Sequence, residues 1–176
     1  MTSALLVVDV QNAVVDGIPG RDELIATIAR LADDARAAGS PVVWVQHEDE
    51  DLPHGSDDWE IVPELQPADG ESIIEKHHRS AFGDTGLGDL LRTQGIRRLV
   101  IVGAQTAFCV DMAGKHALAE GFDVTWVSNG HANGDQETAV GVLADATVRA
   151  LLNRTWSTLR HPDRQIEVVP SDEVRW

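Results

Sequence analysis

The sequence contains a single cysteine, Cys109, among its 176 residues. One cysteine cannot form a disulfide within the chain, and it cannot supply the several thiolates of a structural zinc site. Folding should therefore not depend on oxidation, and a reducing cytoplasm is the expected location. Basic residues are also scarce, since 14 Lys and Arg stand against 29 Asp and Glu for a formal net charge of −15. Such a surplus repels phosphate backbones and anionic lipids, so neither nucleic acid nor a membrane surface is an expected partner.

Long apolar runs are missing as well. The apolar stretch near the N-terminus stops at Asp9, far short of the roughly 20 residues that cross a bilayer, and no basic segment precedes it. We therefore expect neither an export signal nor a membrane span. The remaining composition, 43% hydrophobic and 24% charged, is typical of a globular protein. The length predicts a single domain over residues 1–176.

Short apolar runs alternate with segments of helical periodicity, which is the pattern of βαβ units. This pattern predicts a three-layer α/β/α fold with a six-stranded, mainly parallel sheet. The predicted strands cover residues 4–8, 42–46, 72–75, 99–102, 124–127 and 166–169. Helices are predicted around the apolar positions of residues 24–35 and over residues 86–94, 108–120 and 135–160. Residues 47–70, rich in proline and acidic side chains, are predicted to form a long loop that packs through its few apolar residues.

Three reactive side chains fall at predicted strand ends, where open parallel sheets bind their ligands. Asp9 ends the first strand, Lys76 follows the third and Cys109 follows the fourth. Each alone could be a cap, a solvated strand end or an inert buried thiol. Together they can form a set in which the carboxylate accepts the thiol proton and the ammonium stabilises the thiolate. The spacing also places Cys109 about one turn into a helix capped by Thr106, which predicts a lowered pKa for the thiol.

The sequence resembles the isochorismatase-like cysteine hydrolases in three segments. They are Leu5-Leu6-Val7-Val8-Asp9-Val10-Gln11-Asn12, then Lys76 with Ser80-Ala81-Phe82 and Thr85-x-Leu87, and finally Val102-Gly103-Ala104-Gln105-Thr106-x-x-Cys109-Val110-Asp111. Their order and spacing agree with that family over roughly residues 4–131, which is most of the chain.

The resemblance implies that Asp9, Lys76 and Cys109 are a catalytic triad that cleaves a small amide or related C–N bond without a cofactor. It implies a cis peptide between Ala104 and Gln105, with the backbone N–H groups of Gln105 and Cys109 forming an oxyanion hole. Cys109 would attack the carbonyl carbon, and Asp9 would protonate the leaving amine and then activate water against the thioester. The resemblance further implies a homodimer or higher homo-oligomer, for which the tail, residues 171–176, is a candidate contact.

The substrate contacts are less well defined than the triad. Many family members carry an aromatic residue where this chain has Val14, so we expect a smaller pocket wall there. The candidate pocket residues are Gln11, Val14, Trp59, Phe82, Phe108 and His131. Metal-binding members carry Asp-x-His after the second strand, whereas Val45 precedes His47 here. The two His and two Asp between His47 and His54 are explained more simply as a solvated acidic loop, and no metal is expected.

Two alternatives to amide hydrolysis remain open. In the first, the chain carries out isochorismatase-type hydrolysis of a vinyl ether, a reaction that does not need the cysteine in this family. In the second, it is a non-catalytic binding or scaffold protein that uses its acidic loop or C-terminus to hold a partner. The presence of all three triad residues favours acyl transfer on a small-molecule substrate.

Overall fold

The computed structural model describes residues 2–176 and contains a six-stranded parallel sheet. The strands of the chain are β1 (Ser3–Val8), β2 (Val42–His47), β3 (Ser72–Lys76), β4 (Arg98–Ala104), β5 (Asp123–Ala132), β6 (Gln136–Thr138), β7 (Gly141–Leu143) and β8 (Ile166–Val169). The sheet has the order β3-β2-β1-β4-β5-β8, and each neighbouring pair is parallel. All six predicted strands are present, so the predicted sheet is confirmed.

Helices cover both faces of this sheet and complete the three layers. They are α1 (Asn12–Val15), α2 (Arg21–Ala37), α3 (Leu87–Thr93), α4 (Asp111–Ala119) and α5 (Asp145–Thr158), with a π-helical turn at Thr106–Val110 and a 3-10 turn at Ser171–Glu173. The apolar side of α2 packs on one face, and α3, α4 and α5 pack on the other. A strand buried on both faces needs a continuous apolar sequence, and every residue of β1 is buried.

A close backbone approach joins β1 to β4 just before both strands end. Gly103 pairs with Val8, and a Cβ atom on Gly103 would lie 2.0 Å from the Val8 carbonyl oxygen. Gly103 also has a φ of +129°, a conformation that L side chains rarely adopt. Glycine at this position therefore allows the carboxyl ends of β1 and β4 to meet closely.

The predicted helix over residues 135–160 is wrong in its first third. Strands β6 and β7 form an antiparallel hairpin there, and α5 begins only at Asp145. Val140 is 93% exposed and Val142 is 63% exposed, so this segment has no apolar face against the core that a helix could bury. β5 is also longer than predicted, because it runs on through polar residues to Ala132.

Residues 48–71 form the predicted loop, and its apolar residues Val62 and Leu65 are buried as expected. The tail at residues 171–176 packs against its own chain: Val174 and Trp176 contact the apolar cluster around α2. Its contact with a neighbouring copy stays a prediction. Within residues 2–176, no helix combines the length and the hydropathy that a bilayer crossing requires.

Candidate active site

The side chains predicted to be catalytic meet at the carboxyl ends of β1, β3 and β4. Asp9 directly follows β1, Lys76 is the last residue of β3 and Cys109 lies in the π-helical turn after β4. Lys76 Nζ lies 2.7 Å from Asp9 Oδ2 and donates a hydrogen bond to Cys109 Sγ at 3.4 Å. The three groups therefore form one contiguous cluster centred on the ammonium.

Asp9 and Lys76 form an ion pair that is almost completely removed from water, with side-chain exposures of 1% and 0%. Asp9 has a φ of 50°, and its N–H donates to the Val45 carbonyl at 3.0 Å. Burial raises the pKa of the Asp9 carboxyl, and the neighbouring Lys76 ammonium opposes that rise. Besides its contact with Lys76, the Asp9 carboxylate accepts a side-chain hydrogen bond from Cys109. The site thus contains a buried carboxylate oxygen that can still accept a proton.

Burial raises the pKa of the Cys109 thiol to about 12, and the Asp9 carboxylate contributes to the rise while Lys76 opposes it. The lowered pKa expected from the sequence is therefore wrong. Cys109 precedes α4, which begins at Asp111, so it lies in a short π-helical turn and not in the first turn of a long helix. The resting form is consequently the thiol, held beside a carboxylate that can take its proton.

Backbone hydrogen bonds shape the turn that carries Cys109. The N–H groups of Phe108 and Val110 donate to the Gln105 carbonyl at 3.0 and 3.4 Å. The Ala107 N–H donates to Asn133 Oδ1 at 3.0 Å. The peptide bond between Ala104 and Gln105 is cis, as the resemblance implied.

The prediction that Thr106 caps a helix is wrong, because its hydroxyl bonds to a buried histidine instead. Its Oγ1 lies 2.9 Å from His131 Nδ1, while His131 Nε2 lies 3.1 Å from Asn153 Oδ1. An amide oxygen can only accept, so His131 Nε2 carries the hydrogen and Nδ1 accepts from the Thr106 hydroxyl. Burial lowers the pKa of His131 to about 4. A neutral His131 therefore supports the Cys109 turn from β5.

A cavity of about 300 Å³, lined in part by His131, lies near the start of α2. Glu23, Thr27 and Arg149 contribute to its lining, and none of the three predicted catalytic side chains does. This cavity is therefore separate from the cluster around Lys76.

Gln11, a candidate pocket residue, is fully buried and engaged by the protein itself. Its Nε2 donates to the carbonyls of His47 at 2.9 Å and Trp59 at 2.8 Å, and its Oε1 accepts from the His47 N–H at 2.8 Å. Gln11 thus ties the end of β2 to the middle of the long loop. The Trp59 ring packs against His54 with 4.3 Å between centroids.

The other candidate pocket residues are not all on one side of the sheet, since Val14 packs against the cluster around α2 and Phe82 against the cluster on the opposite face. Phe82 packs 6.0 Å from Phe122, and Phe108 lies beneath the Arg79 guanidinium at 4.6 Å. Val14 is half-buried, and its carbonyl accepts a hydrogen bond from Gln105 Nε2 at 3.3 Å. Their contacts with a substrate stay predictions.

His47 is a residue of the site that the sequence analysis considered only as a metal ligand. It ends β2 in register with Lys76, and its Nδ1 lies 3.3 Å from Lys76 Nζ. The sequence offered one signal for this role, since His47 is a polar residue at the end of β2, the strand that pairs with β3. His54 does not join it, since its Nε2 faces Glu75 at 3.2 Å. Residues 2–176 contain no group of three or more His, Cys, Asp or Glu side chains arranged to hold a metal.

Comparison with known proteins places the chain in a family. The family model of the isochorismatase domain matches residues 3–154 of the sequence, which include Asp9, Lys76 and Cys109. The chain belongs to the isochorismatase family. Among isochorismatase-family relatives, streptothricin hydrolase of Streptomyces noursei is 34% identical over 95% of this chain and 68% of its own length.

Two further isochorismatase-family comparisons agree with this assignment. The ureidoacrylate amidohydrolase RutB of Agrobacterium fabrum is 32% identical over 66% of this chain and 69% of its own. The crystal structure of an isochorismatase from Pseudomonas putida KT2440 superimposes with a TM-score of 0.89 at 27% identity. That superposition covers 99% of this chain and 90% of the other, so the isochorismatase-like α/β fold extends over the whole described structure. The chain is accordingly a hydrolase of the isochorismatase family.

Proposed function

We propose that the protein is a cysteine amidohydrolase that cleaves a small amide or related C–N bond through a thioester on Cys109. The buried cluster of Asp9, Lys76 and Cys109 carries this proposal, because it joins a nucleophile, a base and a fixed positive charge within hydrogen-bonding distance. The names of the two curated relatives, a hydrolase and an amidohydrolase, support the same class of reaction.

The first half of the reaction forms the thioester. Asp9 accepts the thiol proton as Cys109 Sγ attacks the carbonyl carbon, and the Lys76 ammonium stabilises the negative charge on sulfur. The backbone N–H groups of Gln105 and Cys109 hold the oxyanion of the tetrahedral intermediate. Asp9 then returns its proton to the leaving nitrogen, and the C–N bond breaks to release ammonia or an amine.

The second half of the reaction regenerates the enzyme. Asp9 takes a proton from water as the water oxygen attacks the thioester carbonyl, and it returns that proton to the Cys109 sulfur as the C–S bond breaks, which gives a carboxylic acid and the free thiol. The raised pKa of Asp9 suits this double role, because a more basic carboxylate accepts protons better and its acid form donates them at a pH nearer neutrality. None of these steps uses a cofactor or a metal.

The direct test is the intact mass of the protein after brief exposure to candidate amides and an acid quench. Streptothricin, ureidoacrylate and simple primary amides form the panel. We expect a mass increment on the single cysteine, which the Cys109→Ala variant lacks, together with release of ammonia or an amine. Full amide turnover by Cys109→Ala would exclude the thioester route.

Isochorismatase-type hydrolysis of a vinyl ether is a second candidate, favoured by the isochorismatase of known structure that superimposes on this chain. Cys109→Ala separates the two reactions, since it should retain vinyl-ether turnover while losing amide turnover. Absence of any increment and of any turnover would instead favour a binding or scaffold protein. A homodimer or higher oligomer remains part of the proposal, and sedimentation velocity would measure it.

A further inference from the structure

The Lys76 ammonium is surrounded by three groups, of which the proposed mechanism uses two. An ammonium has three N–H donors and no acceptor. The three neighbours of Lys76 Nζ are Asp9 Oδ2 at 2.7 Å, Cys109 Sγ at 3.4 Å and His47 Nδ1 at 3.3 Å. Since the Lys76 side chain is fully buried, water cannot replace a missing acceptor. His47 is therefore the acceptor for the one N–H of Lys76 that Asp9 and Cys109 do not use.

The hydrogen bonds of His47 fix which of its ring nitrogens carries the hydrogen. Lys76 can only donate, so Nδ1 must accept through its lone pair. The hydrogen then resides on Nε2, which lies 2.9 Å from Asp49 Oδ2. Asp49 is thus an acceptor that holds the imidazole in the tautomer Lys76 requires.

The backbone of His47 is held as firmly as its ring. Gln11 accepts from the His47 N–H at 2.8 Å and donates to its carbonyl at 2.9 Å. On the other side, His47 pairs in register with Lys76, and the Glu48 N–H donates to the Lys76 carbonyl at 2.9 Å. The imidazole is therefore fixed in place before any substrate binds.

We propose that His47, oriented by Asp49, is a positioning residue that directs one N–H of the Lys76 ammonium at the Cys109 sulfur. With Nδ1 occupying one N–H and Asp9 a second, the third points at Sγ, where thiolate charge develops. Without this acceptor the ammonium is free to turn toward Asp9 alone, or loses a proton because one N–H is left buried and unpaired. Both outcomes weaken the stabilisation of the thiolate. The inference rests on the proposed thioester chemistry.

The rate at which iodoacetamide alkylates Cys109 measures the stabilisation of the thiolate, and this assay does not require the substrate to be known. Because the chain has a single cysteine, one added carbamidomethyl group in the intact mass reports Cys109 alone. We expect His47→Leu to alkylate about 10-fold more slowly than the wild-type protein at pH 9. His47→Asn should retain most of the rate, because asparagine has nearly the shape of leucine and its Oδ1 can take the place of Nδ1.

Asp49→Asn provides a variant at a half-exposed position that folding tolerates more readily. Its Oδ1 can still accept from the N–H groups of Asp51 and Leu52, which places the new amide nitrogen against His47 Nε2. Two donors cannot face each other, so no tautomer of His47 satisfies both the new amide and the Lys76 ammonium, and the contact of Nδ1 with Lys76 Nζ is weakened. We expect alkylation several-fold slower than in the wild type. His77→Leu is the matched control: His77 follows Lys76, is 64% exposed, and should leave the rate unchanged.

A wild-type alkylation rate in His47→Leu, or an equal loss of rate in His47→Asn and His47→Leu, would refute the role of Nδ1. If His47→Leu does not fold, a wild-type rate in Asp49→Asn refutes it as well. The proposed function has a separate readout in the acyl-enzyme mass increment. An increment in the wild type without a His47 effect on alkylation overturns only the positioning role, whereas a His47 effect without an increment overturns only the amide chemistry.

Discussion

Protonation of His131 at acidic pH should destabilise the fold, because the structure holds this ring neutral. Burial lowers the pKa of His131 from its ordinary value of 6.5 to about 4, so the unfolded chain binds the proton more tightly than the folded one. The stability contributed by the neutral ring is fully present above pH 6.5 and is lost as the pH falls toward 4. One titrating group with this shift costs about 2 kcal/mol between pH 7.5 and pH 5, and about 3 kcal/mol in full.

The assay is urea unfolding at several values between pH 7.5 and pH 4.5, with the wild-type protein compared to His131→Gln. The glutamine variant cannot titrate, so its free energy of unfolding should fall by about 2 kcal/mol less than that of the wild type between pH 7.5 and pH 5. His78→Gln, at a position where the side chain is mostly exposed, should keep the wild-type dependence. Parallel curves for the wild type and His131→Gln would show that His131 does not titrate as the structure requires.

Three further predictions concern the cysteine and the strand ends. The raised pKa of the Cys109 thiol predicts alkylation that accelerates about tenfold per pH unit from pH 7 to pH 10 without levelling, whereas a plateau near pH 8.5 would contradict it. Asp9→Asn should move this profile to lower pH, since the carboxylate helps to raise the thiol pKa; a slower rate at every pH would oppose that assignment. Gly103→Ala should lower the free energy of unfolding by about 3 kcal/mol or more, because its Cβ would meet the Val8 backbone. Gly86→Ala, where no atom lies within 4 Å of the new Cβ, is the control, and equal stabilities of the two variants would refute the close approach.

The buried strands were predictable because their burial is visible in short stretches of sequence. A strand covered on both faces must be continuously apolar, and β1, β2 and β4 have such sequences. The hairpin was missed because each of its strands has only three residues, too few to show a period of two. The extension of β5 was missed because Ser128, Asn129 and Gly130 are polar or flexible; they lie in an irregularity after Trp126, and pairing with β4 resumes only at His131 and Ala132.

The positions of Asp9, Lys76 and Cys109 followed from strand ends, but their protonation did not. Helix periodicity around Cys109 suggested a stabilised thiolate, whereas the pKa depends on burial and on Asp9, which are set by tertiary packing. His47 illustrates the same limit. Its sequence neighbours are acidic and suggest a solvated loop, yet the pairing of β2 with β3 places its ring against Lys76.

The buried amide of Gln11 divides the long loop into two independent arcs. Gln11 and Gln46 both donate to the Trp59 carbonyl, and Gln11 also bridges to Ile61, so the middle of the loop is fastened to the sheet. The first arc beyond Asp49 and the second arc beyond Leu65 can each change length or sequence without moving the ends of β1 and β2, because the buried anchors Trp59, Val62 and Leu65 lie between them. If the proposed mechanism holds, new specificities are expected to follow from exchanging one arc at a time while Asp9, Lys76 and Cys109 stay in place.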